Sequence, residues 1–125
     1  MLNQKPNGVY LSLPFPDSIL NPNVHVHWAR KNPAVKAARE AAFYLTLERG
    51  VQLERGKKYE VKLVFCPPDK RTRDLDNLTT SMKSALDGMC RGLGIDDKQI
   101  KPVPDWGPVV EDGKVEVTII ERNSE

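Results

Sequence analysis

Between residues 59 and 89 the spacing of apolar residues changes from two to three and four, and this change constrains the fold more than anything else in the chain. Tyr59-Glu60-Val61-Lys62-Leu63-Val64-Phe65 alternates, the pattern of a strand with one buried and one wet face. Pro67 and Pro68 close it, since proline lacks the donor a ladder needs. Further on, Leu75, Leu78, Met82, Ala85, Leu86 and Met89 form the buried stripe of a helix predicted from near Asp76 to about Arg91. A strand that feeds a helix must bury both apolar faces against each other, so a layered α/β arrangement is built in.

The remaining segments fit the same plan. Val9 to Leu13 reads as a short strand ended by Pro14 and Pro16. Residues 17–32, rich in Asn, Pro and Ser, read as a long loop carrying His25, His27 and Trp28. A first helix is predicted over Pro33 to Arg49, with Asn32 as its cap and Gly50 as its stop. Ile100 to Val103 and Val115 to Ile120 read as two further strands, and Arg122 to Glu125 as a frayed tail. The predicted order is β-α-β-α-β-β. This is an α+β fold of one domain over residues 1–125, a small mixed sheet with helices packed on one side.

Composition narrows the class. A chain of 125 residues with 39% hydrophobic and 29% charged residues has a globular balance, which excludes disorder and coiled coil as whole-chain answers. No apolar run nears the roughly 18 residues of a membrane span. The polar start, Met1 to Gly8, predicts no secretory leader. Two cysteines, Cys66 and Cys90, outside any CxxC pair, read as packed thiols in a reducing cytoplasm rather than a disulfide framework or thiolate zinc site. Residues 1–62 hold ten Lys/Arg against five Asp/Glu, a balance of +5, and residues 63–125 nine against twelve, a balance of −3. Charge counts alone read as scatter over a solvated surface; with the motifs below they read as an anion-gripping half and a cation-holding half.

The densest polar stretch, Asp69-Lys70-Arg71-Thr72-Arg73-Asp74-Leu75-Asp76-Asn77, joins strand to helix. Asp74 and Asp76 at a helix start are explained in part by capping and by the helix dipole. Capping explains neither the basic residues beside them nor the second acidic pair, Asp96-Asp97, beyond the helix. Composition does not say whether Asp97 folds back to Asp74. Carboxylates that do converge repel unless a divalent ion neutralises them, and oxygen-only ligands select Mg²⁺ or Mn²⁺. Such an ion with Arg and Lys nearby suits phosphodiester hydrolysis.

Arg73-Asp74-Leu75-Asp76-Asn77-Leu78, Asp96-Asp97-Lys98-Gln99-Ile100 and the early Leu13-Pro14-Phe15-Pro16 together resemble the RusA family of crossover (Holliday) junction endodeoxyribonucleases of bacteria and phages. The resemblance runs from about Val9 to Glu121. It implies a cytoplasmic, homodimeric, metal-dependent nuclease of mixed α/β fold that resolves four-way DNA junctions by paired symmetric nicks in recombination and repair. It implies Asp74, Asp76 and Asp97 as catalytic metal ligands, Asp96 as a supporting ligand, and Arg73 on a phosphate. Mg²⁺ is the expected ion, with Mn²⁺ as a substitute. Lys70, Arg71, Arg30, Lys31, Lys36 and Arg39 are the further expected DNA contacts, and Trp28 a base-stacking one.

One position departs from the family pattern: Thr80 stands where the family has a lysine four residues after its second aspartate. On one continuous helix Lys83, seven residues after Asp76, would share the angular position of Asp76 and supply that charge; Lys70 or Arg71 is the alternative source. The departure leaves a second reading, a junction-binding protein of the same fold with weak or lost cleavage. Glu60-Val61-Lys62 reads as an exposed strand face and His25 with His27 as loop residues.

Overall fold

The computed structural model describes residues 8–122. The polar start and residues 123–125 of the tail, on which expectations about a leader and fraying rest, lie outside them. In chain order the elements are β1 (Gly8–Leu13), α1 (Trp28–Arg49), β2 (Lys58–Cys66), α2 (Leu75–Ser81), α3 (Lys83–Leu93), β3 (Ile100–Trp106) and β4 (Lys114–Arg122). Short 3-10 turns sit at Ser18–Leu20 and Asp97–Gln99. The strands form one mixed sheet in the order β1-β4-β2-β3. β4 is antiparallel to both neighbours, and β2 runs parallel to β3. This is the expected single α+β domain.

Alternation explains the sheet. Val61, Leu63 and Phe65 of β2 and Val115 and Val117 of β4 are fully buried, and the register sets Leu63 beside Val117 and Phe65 beside Val115. Leu78, Met82, Leu86, Met89 and Leu93 cover this face from the helices. Burial of an aliphatic side chain stabilises by about 1.5–3 kcal/mol, so this seam supplies most of the fold's driving force. Arg122 is not frayed but the last residue of β4, paired with Lys58. β3 is an edge strand and carries Pro102 and Pro104, residues a central strand would not tolerate.

The helices differ from expectation in two places. α1 begins at Trp28, five residues before Pro33, because His27 caps it: the His27 Nδ1 accepts the Ala29 N–H at 3.1 Å. The single helix expected from Asp76 to Arg91 is two, broken at Met82. Three consecutive hydroxyls precede the break. Thr79, Thr80 and Ser81 donate to the carbonyls of Leu75, Asp76 and Asn77 at 2.9, 3.1 and 2.8 Å. Such back-bonding competes with the helical ladder and bends it. The Met82 N–H then bonds the Thr79 carbonyl at 3.1 Å, a tightened turn, and α3 starts afresh.

α1 lies against α3 at very short range. A Cβ on Gly88 would stand 2.0 Å from the Arg39 carbonyl oxygen, and one on Gly92 would stand 2.9 Å from the Thr46 Cβ. Ala42 and Thr46 are the buried residues of α1 at this contact. Gly50 ends α1 and Gly94 ends α3, each in the left-handed conformation at φ 66° and 77° that glycine adopts without steric cost.

Candidate active site

The loop from Asp69 to Asp74 is shaped by Arg73. Its guanidinium donates to the Asp69 and Arg71 carbonyls at 3.2 and 3.1 Å and pairs with the Asp69 carboxylate at 3.0 Å. It also lies 5.4 Å from the centroid of the Phe15 ring, and only 12% of its side chain is exposed. The Arg71 N–H and the Arg73 guanidinium hold the Asp69 carboxyl below the usual carboxylate range. Arg73, expected on a phosphate, is therefore turned into its own loop and tied to the β1 end of the molecule.

Asp74 caps α2, its Oδ1 accepting the Asn77 N–H at 3.1 Å, and Asp76 is exposed in the first turn. A cleft of about 450 Å³ carries Asp74, Arg71, Arg73 and Thr72, faced by Asp17 and Asn21. A second cleft of about 300 Å³ carries Asp97, Lys83, Thr80 and Asp87, faced by Lys31 and Arg39 of α1. Ser81, at the helix break, lines both.

Asp96 and Asp97 are adjoining acids at the 3-10 turn that follows α3. Asp96 caps the 3-10 turn, with its Oδ1 accepting the Lys98 N–H at 2.9 Å and the Gln99 side chain returning to its own N–H at 3.0 Å. The Lys98 amide holds the Asp96 carboxyl down, while the adjoining Asp96 carboxyl first, and then the charge of Asp87, push Asp97 up. Burial and the same acidic neighbours raise the Cys90 thiol to about 12, which leaves it protonated and inert at neutral pH.

The expected residues thus gather in two groups. Asp97 and Lys83 share one cleft; Asp74, Arg71 and Arg73 share the other. Among the described residues no three His, Cys, Asp or Glu side chains converge as a metal-holding group, so Asp74, Asp76, Asp96 and Asp97 do not make one coordination shell in this conformation. The continuous-helix geometry that aligned Lys83 with Asp76 fails at Met82, although Lys83 still reaches the Asp97 cleft. The Thr80 hydroxyl is bonded to the Asp76 carbonyl. Of the other expected DNA contacts, Arg30, Lys36, Lys70 and Arg71 are exposed. Lys31 is bonded to the Asn21 and Val24 carbonyls at 3.5 and 3.3 Å, and Arg39 pairs with Asp87 at 3.3 Å. Asp87 is the residue sequence reasoning missed. It pairs with Arg39 and also with Arg91 at 3.4 Å, and its spacing before Arg91 on one helix was the only signal.

No helix among the described residues is long and apolar enough to cross a membrane. No protein-family model matches the chain. Over 117 residues it is 34% identical to a protein of Xylella fastidiosa (strain Temecula1) described as an uncharacterized protein, an alignment that covers 87% of this chain and 74% of that one. The chain belongs to the same family as this Xylella protein.

Proposed function

We propose that the protein is a divalent-metal-dependent endonuclease of branched DNA, similar to the RusA junction resolvases and bacterial or phage-encoded as they are. The observation that carries this reading is the meeting of two carboxylate-and-cation clefts at Ser81, Asp74 with Arg71 on one side and Asp97 with Lys83 on the other. The available donors are carboxylate oxygens, the type Mg²⁺ and Mn²⁺ take. Asp74, Asp76 and Asp97 are the ligands the RusA resemblance implies, with Asp96 in support, and to hold one ion they would have to be drawn together from the separated positions they occupy here. When bound, a divalent ion polarises the phosphoryl oxygen and lowers the pKa of an attacking water.

The chain's own groups do the rest. Arg71 and Lys70 neutralise phosphates beside the Asp74 cleft, with Arg30 and Lys36 extending the grip along α1. Lys83 places a positive charge where negative charge builds around phosphorus. Arg73 fixes the loop that presents Asp74. Resolving a junction takes two nicks related by a two-fold axis, and one chain has one acidic site, so the active form is a C2 homodimer.

A second reading is favoured by two observations: the Thr80 hydroxyl turned onto the Asp76 carbonyl and the separated carboxylates fit a junction-binding protein with weak cleavage. Incubating a synthetic four-way junction with Mg²⁺, with EDTA and with Asp76→Asn separates the two. Paired symmetric nicks that need both the metal and Asp76 support the nuclease. Tight junction binding with no nicks under any condition supports the binding protein.

A further inference from the structure

A third cleft, of about 340 Å³, opens where the outer face of α1 meets the end of α3. Its walls are Lys36, Arg39, Phe43 and Tyr44 of α1 and Arg91 of α3, with Glu40 at the side. Tyr44 is 59% exposed. Phe43 stands edge-on to it, with ring centroids 5.1 Å apart at 73°, and so restricts how the Tyr44 ring can lie.

Asp87 sets the electrostatics of this cleft. Its single oxygen Oδ2 meets the Nε of both Arg39 and Arg91, at 3.3 and 3.4 Å. Nε is the guanidinium nitrogen nearest the chain. In both residues the ion pair with Asp87 runs through this inner nitrogen, and a guanidinium grips phosphate in a two-pronged fashion through its outer pair. The Arg39 Nε is buried and has no hydrogen bond, since its contact with Asp87 has the range of an ion pair but not the geometry of a bond. Three cations, Lys36, Arg39 and Arg91, face two carboxylates, Glu40 and Asp87. One positive charge is left over, the amount one phosphodiester neutralises.

We infer that this cleft binds one unpaired nucleotide of single-stranded DNA, its base stacked on Tyr44 and its phosphate held by Arg91 and Arg39. The volume is at the small end of ligand clefts, which run to about 300–1,000 Å³. A base inside a duplex is stacked on its neighbours and cannot lie on a tyrosine, so the cleft selects strands that are already unpaired or splayed. Aromatic rings beside cations are the usual platform for such strands. Arg39 also lines the Asp97 cleft, so a strand anchored here is delivered toward the candidate catalytic carboxylates. The inference rests on the DNA-binding part of the proposed function and is independent of cleavage.

Fluorescence anisotropy of a labelled short oligo(dT) and of a matched duplex, in EDTA, tests it. Tyr44→Ala should weaken oligo(dT) binding by about fivefold to a hundredfold, the loss of one base stack, and change duplex binding far less. Tyr44→Phe should bind like the parent. Arg91→Ala should lower the slope of log affinity against log salt by about 0.7, the share of one phosphate on a single strand. Circular dichroism checks that each variant keeps the parent's fold, which the exposure of both side chains favours. Equal loss on oligo(dT) and duplex, or unchanged oligo(dT) affinity in Tyr44→Ala, overturns the inference. So does a shift from dimer to monomer in sedimentation of Tyr44→Ala, which would make this face a contact between copies. If no junction is ever cut yet Tyr44 governs single-strand binding, the inference stands and the nuclease reading falls. If junctions are cut but Tyr44→Ala binds oligo(dT) as before, the reverse holds.

Discussion

Replacing Gly88 by alanine should destabilise the protein, against the trend of helix propensity. Alanine in a helix interior is favoured over glycine by about 1 kcal/mol. At this position the new Cβ would lie 2.0 Å from the Arg39 carbonyl oxygen, where ordinary contact begins at 3.4 Å. α1 would have to retreat by the difference, about 1.4 Å, because a backbone carbonyl inside a helix cannot rotate away as a flexible side chain does. Gaps of 0.5–1 Å already forfeit about a quarter to a half of a dispersion contact, and Ala42 and Thr46 lie on the same seam. Overpacking costs about 1–3 kcal/mol and sometimes more, and a backbone obstacle puts this case near 3–4. The net loss is then about 2–3 kcal/mol after the propensity gain. With an unfolding entropy of about 2.1 cal/mol/K per residue, that lowers Tm by roughly 8–12 °C. Gly92→Ala, whose Cβ would meet Thr46 at 2.9 Å and the Phe43 carbonyl at 3.1 Å, should fall between Gly88→Ala and the parent. Thermal melts followed by circular dichroism report all three. A Gly88→Ala protein that melts at or above the parent temperature would refute the close approach of α1 and α3.

Asp74→Ala should lose the α2 cap and about 1 kcal/mol of stability, while Asp74→Asn keeps the cap and the melting temperature; both should end junction cleavage in Mg²⁺. Asp97 keeps its proton to higher pH in the folded chain than the unfolded value of 3.8, so the folded state loses stability as pH rises through that raised value. Asp97→Asn should therefore raise Tm at neutral pH and leave it unchanged below the ordinary carboxylate range, as melts at the two pH values would report. Lys83→Ala should lower the cleavage rate much more than junction affinity, and Thr80→Lys in that background should restore the rate, both read from single-turnover nicking and gel-shift titration.

The two central strands were legible because each has one buried face: Tyr59 to Phe65 and Val115 to Ile119 alternate, and the structure buries the alternate residues, whereas the edge strand β3 buries none. The helix break was not, because the apolar stripe from Leu75 to Met89 keeps its rhythm straight through Met82, which stays buried. Its cause lies on the polar side, in Thr79, Thr80 and Ser81, where no hydrophobic pattern looks. The start of α1 was missed for a related reason. Pro33 draws attention as a first-turn residue, while the cap is a histidine, outside the usual Ser, Thr, Asp and Asn set. In the candidate site, the caps Asp74 and Asp96 follow from local rules, as does the first-turn position of Asp76. The inward turn of Arg73 and the bridge from Asp87 to Arg39 depend on contacts with Phe15 and α1, which no local pattern encodes.

The two prolines of β3 decide how this sheet can grow. A strand at a sheet border offers amide hydrogens to any passing chain, and Pro102 and Pro104 have none to offer. Template-driven lengthening of the sheet on that side, whether by a swapped segment of another copy or by fibril seeding, is therefore blocked chemically rather than by a covering element. β1 is the sheet's other border, and its six residues, Gly8–Leu13, contain no proline. Among the described residues β1 is the border left open to strand pairing, and a proline at Tyr10 or Ser12 would close that side as well.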